Sequence, residues 1–265
     1  MATDFSTRSD RALRRGSLLA RQAGSELVLI HVVDDDQPRS LIDAEREQAA
    51  SLLHDLVRTV RDSDGIDSQS RVVLGDAFQS IVEVADELDV DLLVLGPHRR
   101  QVLRDSFFGT TAERTIRTSR KPVIMANGVP AGPYRRVLLA TDFSAASFRA
   151  AQAAKELGFL ASTEIVALHV LDSAEGGRIV RAATPVKEGE DRLAKAEARA
   201  RTELEGFTRK LGVVAAHRAV KPSEDSTGMA INDAAKTEKA DLIVVGTHGA
   251  PVWKNGSWAA SPKAS

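Results

Sequence analysis

The sequence predicts two doubly wound α/β domains in tandem, each built on a parallel sheet. Three sequence blocks of the first half return in the same order in the second half. Short runs of Val, Ile and Leu alternate with helical stretches in both halves, which is typical of parallel sheets covered by helices on both faces. A stretch rich in glycine and proline, residues 127–134, separates the halves and suits neither a helix nor a central strand.

The internal repeat consists of an Ala-Thr-Asp-Phe-Ser block, a strand-like block containing His-Val-x-Asp, and an Asp-Leu-(Leu/Ile)-Val-(Leu/Val)-Gly-x-His block. The blocks occupy residues 2–6, 29–34 and 91–98 in the first half and 140–144, 167–172 and 241–248 in the second. The first two blocks recur after 138 residues and the third after 150. Such a duplication predicts two domains, each large enough to bury its own core.

In the first half, helices are predicted where apolar residues recur every three or four positions, and strands where short apolar runs lack that spacing. The predicted order is helix from Ser6, strand 27–33, helix 41–62, strand 70–74, helix 78–88, strand 92–95, helix from about Thr110 and strand 122–126. Most of a first strand is missing, because Met1 falls where the second half has Leu139.

In the second half, Ser144 is predicted to cap a helix that runs to Leu157, because it precedes an apolar-periodic stretch. A long helix should face the core with Leu193, Ala196, Ala200, Leu204, Phe207 and Leu211. The predicted strands are 137–140, 165–170, 213–220 and 242–245, with a helix at 229–238. The last helix and strand of the first half have no counterpart, so we predict domains at 1–127 and 135–250 and an irregular tail at 251–265.

Composition excludes several classes of function. The 265 residues include no cysteine, which excludes disulfides, thiolate catalysis and cysteine zinc sites. The formal net charge of -1 gives no electrostatic reason to expect nucleic acid or an anionic membrane as a partner. Arg8, Arg11 and Arg15 share a face of the first helix, which we interpret as solvated. No apolar run could span a bilayer and no signal-peptide pattern is present, so we expect a cytoplasmic protein.

Two features could carry binding. The first is a loop between a strand and a helix, Gly96-Pro97-His98-Arg99, nine residues, then Gly109-Thr110-Thr111. Its amides and the helix N-terminus could hold an anion, or it could be a plain connection with a threonine cap. The second is the pair Asp4 and Asp142, which close the first strand at its carboxyl edge. Each acid could accept a ribose hydroxyl or cap the next helix with Ser6 or Ser144.

Other polar residues give no support for catalysis. His31 and His169 end strands and are interpreted as core histidines, and the six histidines show no metal-ligand spacing. The run 34–36 is three aspartates, interpreted as a solvated acidic turn. Neither a nucleophile elbow nor a P-loop is present, and no paired carboxylates suit general acid-base chemistry. We therefore predict that the protein is not an enzyme and holds no metal site of its own.

With these motifs, the chain resembles a tandem member of the universal stress protein family over nearly its whole length. The resemblance implies Rossmann-like domains of the adenine nucleotide alpha hydrolase-like type, with strand order 3-2-1-4-5. It also implies ATP, with Mg as a possible companion, bound by an acid and neighbouring backbone at the adenosine and by a glycine loop at the phosphates. The implied residues are Asp4, Val32, Gly96, His98, Arg99, Gly109, Thr110 and Thr111 in the first copy and Asp142, Val170, Gly246, His248 and Gly249, with Gly256 and Ser257, in the second.

Both copies depart from the family signature of Gly, two residues, Gly, nine residues, Gly and Ser or Thr. Arg99 stands where the second glycine belongs, and its side chain could either block close backbone approach or bind phosphate through its guanidinium. In the second copy only six residues separate Gly249 from Gly256. The alternatives are therefore an ATP-binding stress regulator, a nucleotide-free interaction scaffold and, third, a slow ATP hydrolase.

The family resemblance also implies a homo-oligomer or an intramolecular domain pair, because members usually pair through the last strand. Val123-Ile124-Met125 is an apolar edge suited to such pairing. We expect it to pair with another chain or to be covered by the tail that carries Trp253 and Trp258. Neither nucleic acid nor a membrane is an expected partner.

Overall fold

In the computed structural model, the chain divides into two units, Met1–Pro133 (unit 1) and Tyr134–Ser265 (unit 2). The structure describes residues 1–97, 111–171, 186–222 and 226–247. Within these ranges, no helix has both the length and the apolar character needed to cross a membrane. The tail 251–265, on which one of the two expectations for the Val123–Met125 edge depends, lies outside the described residues.

Unit 1 alternates helices and strands in the predicted order. Its elements are α1 (Ser9–Ala23), β1 (Leu27–Val33), α2 (Arg39–Asp64), β2 (Ser68–Leu74), α3 (Ala77–Glu87), β3 (Leu93–Leu95), α4 (Thr111–Thr118) and β4 (Val123–Met125). Strand β1 pairs in parallel with β2, and β3 pairs in parallel with β4. The buried core residues include Ile30, Leu93 and Leu95 of the strands and Ala112 of α4.

The first three residues of the chain connect these two strand pairs. The Ala2 amide donates to the Val94 carbonyl at 3.2 Å, and the Thr3 amide donates to the Ile30 carbonyl at 2.9 Å. Ala2 and Ile30 form a parallel bridge. Residues 1–3 therefore lie between β1 and β3, and the strands follow in the order β2, β1, residues 1–3, β3, β4. Residues 1–3 thus hold the central position of this strand order.

Unit 2 has the same topology on one continuous sheet. Its elements are β5 (Arg136–Ala140), α5 (Ala145–Glu156), β6 (Glu164–Leu171), α6 (Val186–Leu211), β7 (His217–Pro222), α7 (Thr227–Thr237) and β8 (Leu242–Val244). The sheet order is β7-β6-β5-β8, and every pairing is parallel. The predicted class, two doubly wound parallel α/β domains in tandem, is confirmed.

Local signals in the sequence explain the bounds of the unit 2 helices. The Ser144 hydroxyl accepts the Ser147 amide at 3.2 Å and so caps α5, as predicted. Helix α6 buries Ala200, Leu204, Phe207 and Leu211 in the core, which confirms the predicted apolar face over this part of the helix. Leu193 and Ala196, which the sequence predicts on the same face, are only half-buried.

The predicted strand 213–220 begins later than expected, at His217. Gly212 ends α6 with a φ of 69°, and the Val213 amide donates back to the Thr208 carbonyl at 3.1 Å. Val213 thus completes the C-terminal turn of the helix, a role that glycine at the preceding position favours. Val214 is 88% exposed, so its hydrophobicity misled the strand prediction.

The prediction of a solvated arginine face on α1 is also wrong. The Arg11 guanidinium donates to the Asn127 carbonyl at 2.6 Å, and that of Arg15 donates to the Gly132 carbonyl at 3.1 Å. Arg15 is only 9% exposed. Because residues 127–132 follow β4 and belong to no strand, their carbonyls need other donors, and the guanidinium groups supply them.

Asn232 on α7 has a buried side-chain oxygen, Oδ1, that accepts no hydrogen bond from the residues that the structure describes. Its counterpart in unit 1, 150 residues earlier, is Val82. We expect Asn232→Val to stabilise unit 2 by about 1 kcal/mol, because a buried unsatisfied acceptor costs about 1–3 kcal/mol. Urea unfolding of the full chain measures the change. Asn232→Asp is the matched control and should destabilise, and a Val variant that unfolds at lower urea than wild type would contradict the explanation.

Candidate functional site

The carboxyl edge of the unit 1 sheet carries a hydrogen-bonded turn that presents Asp4. Its Oδ1 accepts the Ser6 hydroxyl at 2.5 Å and the Ser6 amide at 3.0 Å. Thr3 Oγ1 accepts the Phe5 amide at 3.0 Å and donates to Ser9 Oγ at 3.0 Å. The Asp4 side chain is partly exposed and fixed at one oxygen, so Oδ2 can accept a donor from outside the protein.

Unit 2 repeats this turn with the equivalent residues. Asp142 Oδ1 accepts the Ser144 amide at 3.0 Å, and Thr141 Oγ1 accepts the Phe143 amide at 2.9 Å. The hydroxyls of Thr141 and Ser147 are 2.9 Å apart and hydrogen bonded. Asp142 is exposed, while Thr141 beneath it is 6% exposed. The same geometry has therefore been kept in both copies of the repeat.

Both acids have a pKa below the ordinary value of an aspartate, so both are carboxylates at neutral pH. Partial burial acts to raise the pKa of Asp4, but the hydrogen bonds from Ser6 and Ser9 outweigh it and leave the pKa below its usual value. For Asp142, burial likewise acts to raise the pKa, and the bonds from Ser144 and Ser147 lower it further than burial raises it. An ionised carboxylate with access to solvent suits a hydrogen-bond acceptor better than a general acid.

The turns contain a phenylalanine in a left-handed conformation. Phe5 has a φ of 56° and Phe143 a φ of 63°. This region costs an ordinary L-residue roughly 1–2 kcal/mol, so surrounding contacts must hold it. Each phenyl ring lies against the imidazole of the histidine near the end of the neighbouring strand, with ring centroids 4.4 Å apart for Phe5 and His31 and 4.3 Å apart for Phe143 and His169.

Two glycines bring a second loop close to each turn. A Cβ on Gly96 would lie 2.9 Å from the Arg8 carbonyl oxygen, and a Cβ on Gly246 would lie 2.6 Å from the Ser147 amide nitrogen. The chain after β3 and after β8 therefore crosses the first turn of α1 and of α5 at a distance that no side chain allows.

The acids and glycines meet at the switch point of each sheet. In unit 2 the chain winds from β5 outward to β6 and β7, then returns to β8 on the other side of β5. Ligands of doubly wound sheets bind outside the carboxyl ends of the strands at such a reversal. Asp142 follows β5 and Gly246 follows β8, so both lie there. In unit 1, Asp4 and Gly96 hold the equivalent places after residues 1–3 and β3.

The other predicted site residues are distributed as follows. Val32 near the end of β1 is half-buried, and Val170 near the end of β6 is 9% exposed. Thr111 is exposed at the start of α4, and its carbonyl accepts the Thr115 hydroxyl at 2.8 Å. The remaining predicted ligands lie outside the described residues: His98, Arg99, Gly109, Thr110, His248, Gly249, Gly256 and Ser257.

Neither histidines nor acids assemble a cation site in the part of the chain that the structure describes. Asp34, Asp35 and Asp36 are exposed, in agreement with the predicted solvated turn. The sequence interpretation missed Thr3, Ser9 and their counterparts Thr141 and Ser147 as parts of the site. The signal was present, because these residues also recur after 138 positions.

Comparison with known proteins gives consistent similarities. The model described as the universal stress protein family matches residues 1–127 and 133–256. Universal stress protein MJ0577 of Methanocaldococcus jannaschii is 23% identical over 146 residues, which cover 46% of this chain and 90% of that protein.

Two solved structures resemble the chain over most of its length. A universal stress protein from Archaeoglobus fulgidus has a TM-score of 0.66 at 18% identity, covering 91% of this chain and 84% of that one. A putative universal stress protein from Pseudomonas aeruginosa has a TM-score of 0.60 at 17% identity, covering 92% of this chain and 78% of the other. At these identities the likeness shows the fold.

Proposed function

The chain belongs to the universal stress protein family, and we propose that it is a cytoplasmic regulator that binds an adenine nucleotide at the carboxyl edge of its sheets. The observation that carries the proposal is the duplicated turn that presents Asp4 and Asp142 at the two switch points. Each carboxylate is fixed through Oδ1 and accessible to solvent. A pair of vicinal ribose hydroxyls is a natural donor for such an oxygen.

The described residues fit the nucleoside part of this ligand. Val32, near the end of β1, lies at the same sheet edge as the Asp4 carboxylate. Val170, near the end of β6, lies at the same edge as the Asp142 carboxylate. Main-chain groups at that position can hydrogen bond the edge of an adenine ring. The closely crossing glycine loop leads from the switch point toward the segment that would meet the phosphates, for which the family resemblance implies Gly109, Thr110 and Thr111. Mg would accompany the phosphates there.

The proposed role is regulation by occupancy. Nucleotide binding would change the conformation or the partner of the protein without requiring turnover. Ionised acids that accept hydrogen bonds support binding, since acids of lowered pKa are poor proton donors. Association with a second copy or between the paired domains belongs to the same proposal.

Calorimetric titration of the full chain with ATP and AMP tests the proposal. We expect binding, and a weakening by about 10- to 100-fold at the affected site in Asp4→Ala or Asp142→Ala, because a hydrogen bond to a charged group contributes about 1.5–3 kcal/mol. The two single variants show which unit binds, and the double variant should be weakened at both sites. Asp35→Ala, which removes an exposed acid from the neighbouring acidic turn, is the matched control.

The ribose contact has its own test. Dideoxy-ATP lacks both ribose hydroxyls, so it should bind wild type more weakly than ATP does. The double variant Asp4→Ala, Asp142→Ala should then bind ATP and dideoxy-ATP equally. A double variant that still discriminates between them would place the hydroxyls elsewhere.

The phosphate side is tested by Gly109→Glu and Arg99→Gly. Glutamate should abolish binding at unit 1 through charge repulsion. Tighter binding by the glycine variant marks Arg99 as an obstruction, and weaker binding marks it as a phosphate ligand.

A nucleotide-free interaction scaffold is the second candidate. Arg99 in place of a glycine and the short spacing from Gly249 to Gly256 favour it. Absence of binding for ATP, AMP and adenosine alike would select the scaffold and reject the nucleotide proposal.

A further inference from the structure

One histidine in each unit contacts the turn that presents the acid. His31 Nδ1 lies 2.9 Å from the Thr3 carbonyl oxygen, and His169 Nδ1 lies 2.8 Å from the Thr141 carbonyl oxygen. A carbonyl oxygen only accepts hydrogen bonds, so Nδ1 carries the proton in both rings. Each imidazole therefore holds the residue immediately before the acid.

The same imidazole contacts the residue immediately after the acid. The Phe143 and His169 rings are stacked at 23° with centroids 4.3 Å apart, and the Phe5 and His31 rings are tilted at 32° with centroids 4.4 Å apart. These phenylalanines are the residues with left-handed backbone. A conformation of that kind persists only where several contacts define it. The histidine supplies one contact on each side of the acid.

On the nucleotide function proposed above, we propose that His31 and His169 are positioning residues, which fix the carboxylates of Asp4 and Asp142 at the switch points to receive the ribose of a nucleoside ligand. The Nδ1 hydrogen bond sets where the strand ends, and the ring contact sets the left-handed residue that turns the chain. Together they leave the intervening aspartate one orientation.

Substitutions at His169 separate the two contacts. His169→Asn keeps an amide donor close to the Nδ1 position, and His169→Phe keeps an aromatic ring while losing the donor. We expect the Phe variant, which loses the donor at the strand end, to bind ATP at unit 2 about tenfold more weakly. The Asn variant keeps the donor and loses only the ring contact, so we expect it to bind about threefold more weakly. Because each unit carries a proposed site, the measurement uses the full chain with Gly109→Glu, the variant expected to abolish binding at unit 1.

A second readout reports on the turn without any nucleotide. The carboxyl carbon of Asp142 is followed by NMR as a function of pH in the full chain. Its pKa lies below the ordinary value while the hydrogen bonds from Ser144 are in place. We expect it to rise toward the ordinary value in His169→Phe and to stay low in His169→Asn. Should the Phe variant fail to fold, His169→Gln replaces it, because the glutamine amide reaches the Nε2 position and not Nδ1.

Val166→Ala is the control for a purely structural effect. Val166 is 1% exposed on β6, in a second buried cluster of unit 2 that contains no residue of the turn, so its truncation lowers stability without removing a contact of the turn. The proposal requires this variant to keep the Asp142 titration and the ATP affinity of the parent. An unchanged titration in His169→Phe, or an equal shift in Val166→Ala, would overturn the positioning role. If the parent chain binds no nucleotide, the proposed function fails, while the titration still decides whether the histidine holds the acid.

Discussion

Gly246→Ala is expected to destabilise unit 2 by about 3 kcal/mol, the upper part of the range for overpacking a tight site. A Cβ at this position would lie 2.6 Å from the Ser147 amide nitrogen and 2.7 Å from the Ala146 carbonyl carbon. Both are main-chain atoms of the first turn of α5. That turn cannot retreat without breaking the Ser144 cap and the hydrogen bond between Thr141 and Ser147.

Alanine substitutions at two other glycines are the controls for Gly246→Ala. Gly206 lies inside α6, and a methyl group added there would meet no heavy atom within 4 Å, so Gly206→Ala should stabilise unit 2 by about 0.5–1 kcal/mol through helix propensity. Gly96→Ala should destabilise unit 1 by less than the Gly246 variant, because its nearest contact, the Arg8 carbonyl oxygen, is 2.9 Å away. Equal stability of the Gly246 and Gly206 variants would contradict the crossing geometry.

Urea unfolding followed by hydrogen exchange measures these changes. Exchange of peptides from 1–126 and from 135–247 reports on each unit separately, which a single midpoint for a two-unit chain does not. The Gly246 variant should lose protection at lower urea only in the second group of peptides.

The glycine prediction bears on how the repeated block is interpreted. The family resemblance implies that Gly96 and Gly246 are nucleotide-binding residues. The structure gives them a second task, since each lets a loop cross the start of a helix. A glycine required by close packing cannot be distinguished, from the sequence alone, from a glycine required by the close approach of a phosphate. Stability and nucleotide affinity therefore have to be measured on the same variants.

Most elements of the fold could be predicted because their signals are local. Apolar runs mark the strands, and Ser144 marks the start of α5 by a hydrogen bond within its own helix. The errors arose where distant contacts decide. Val213 is apolar but completes a helix end, and Arg15 is charged but meets a main-chain carbonyl 117 residues away. No property of the neighbouring sequence reports such partners.

The candidate site likewise contains residues that the sequence could predict and residues that it could not. Asp4 and Asp142 could be predicted because an acid directly after a parallel strand must lie at the carboxyl edge. The partners of these acids could not be predicted from type or spacing, since Thr141, Ser147 and His169 act through bonds to one another and to main chain. Only their joint recurrence after 138 residues hints that they form one structure.

Ala2→Pro, a substitution in the N-terminal segment 1–3, is expected to destabilise unit 1 by about 3 kcal/mol and to leave the stability of unit 2 unchanged. The Ala2 amide donates to the Val94 carbonyl at 3.2 Å. Val94 is 4% exposed, so no water can replace the lost donor, and a buried unsatisfied acceptor costs about 1–3 kcal/mol. The proline ring adds crowding between β1 and β3, where central strands exclude proline.

Ala145→Pro is the matched control in the other unit. Ala145 is the exposed first residue of α5, a position where proline fits, and Ser144 before it has the extended backbone that proline requires, with φ -70° and ψ 161°. We expect a change below about 0.5 kcal/mol there. Hydrogen exchange at Ile30 and Val94 should rise only in Ala2→Pro. Equal effects of the two variants would show that residues 1–3 do not hold the strand pairs of unit 1 together.

The large destabilisation expected from losing the Ala2 amide follows from a comparison of the central strand positions of the two units. The central strand of unit 2, β5, is five residues long and pairs with β6 over five positions and with β8 over three. In unit 1 residues 1–3 hold the same central position. The amide of Ala2 donates a direct hydrogen bond from this segment to β3. Because few hydrogen bonds link this segment to β3, the loss of one leaves the strand pairs β1-β2 and β3-β4 joined mainly by side-chain packing. Ala2→Pro should therefore lower the urea midpoint of unit 1 and leave that of unit 2 unchanged.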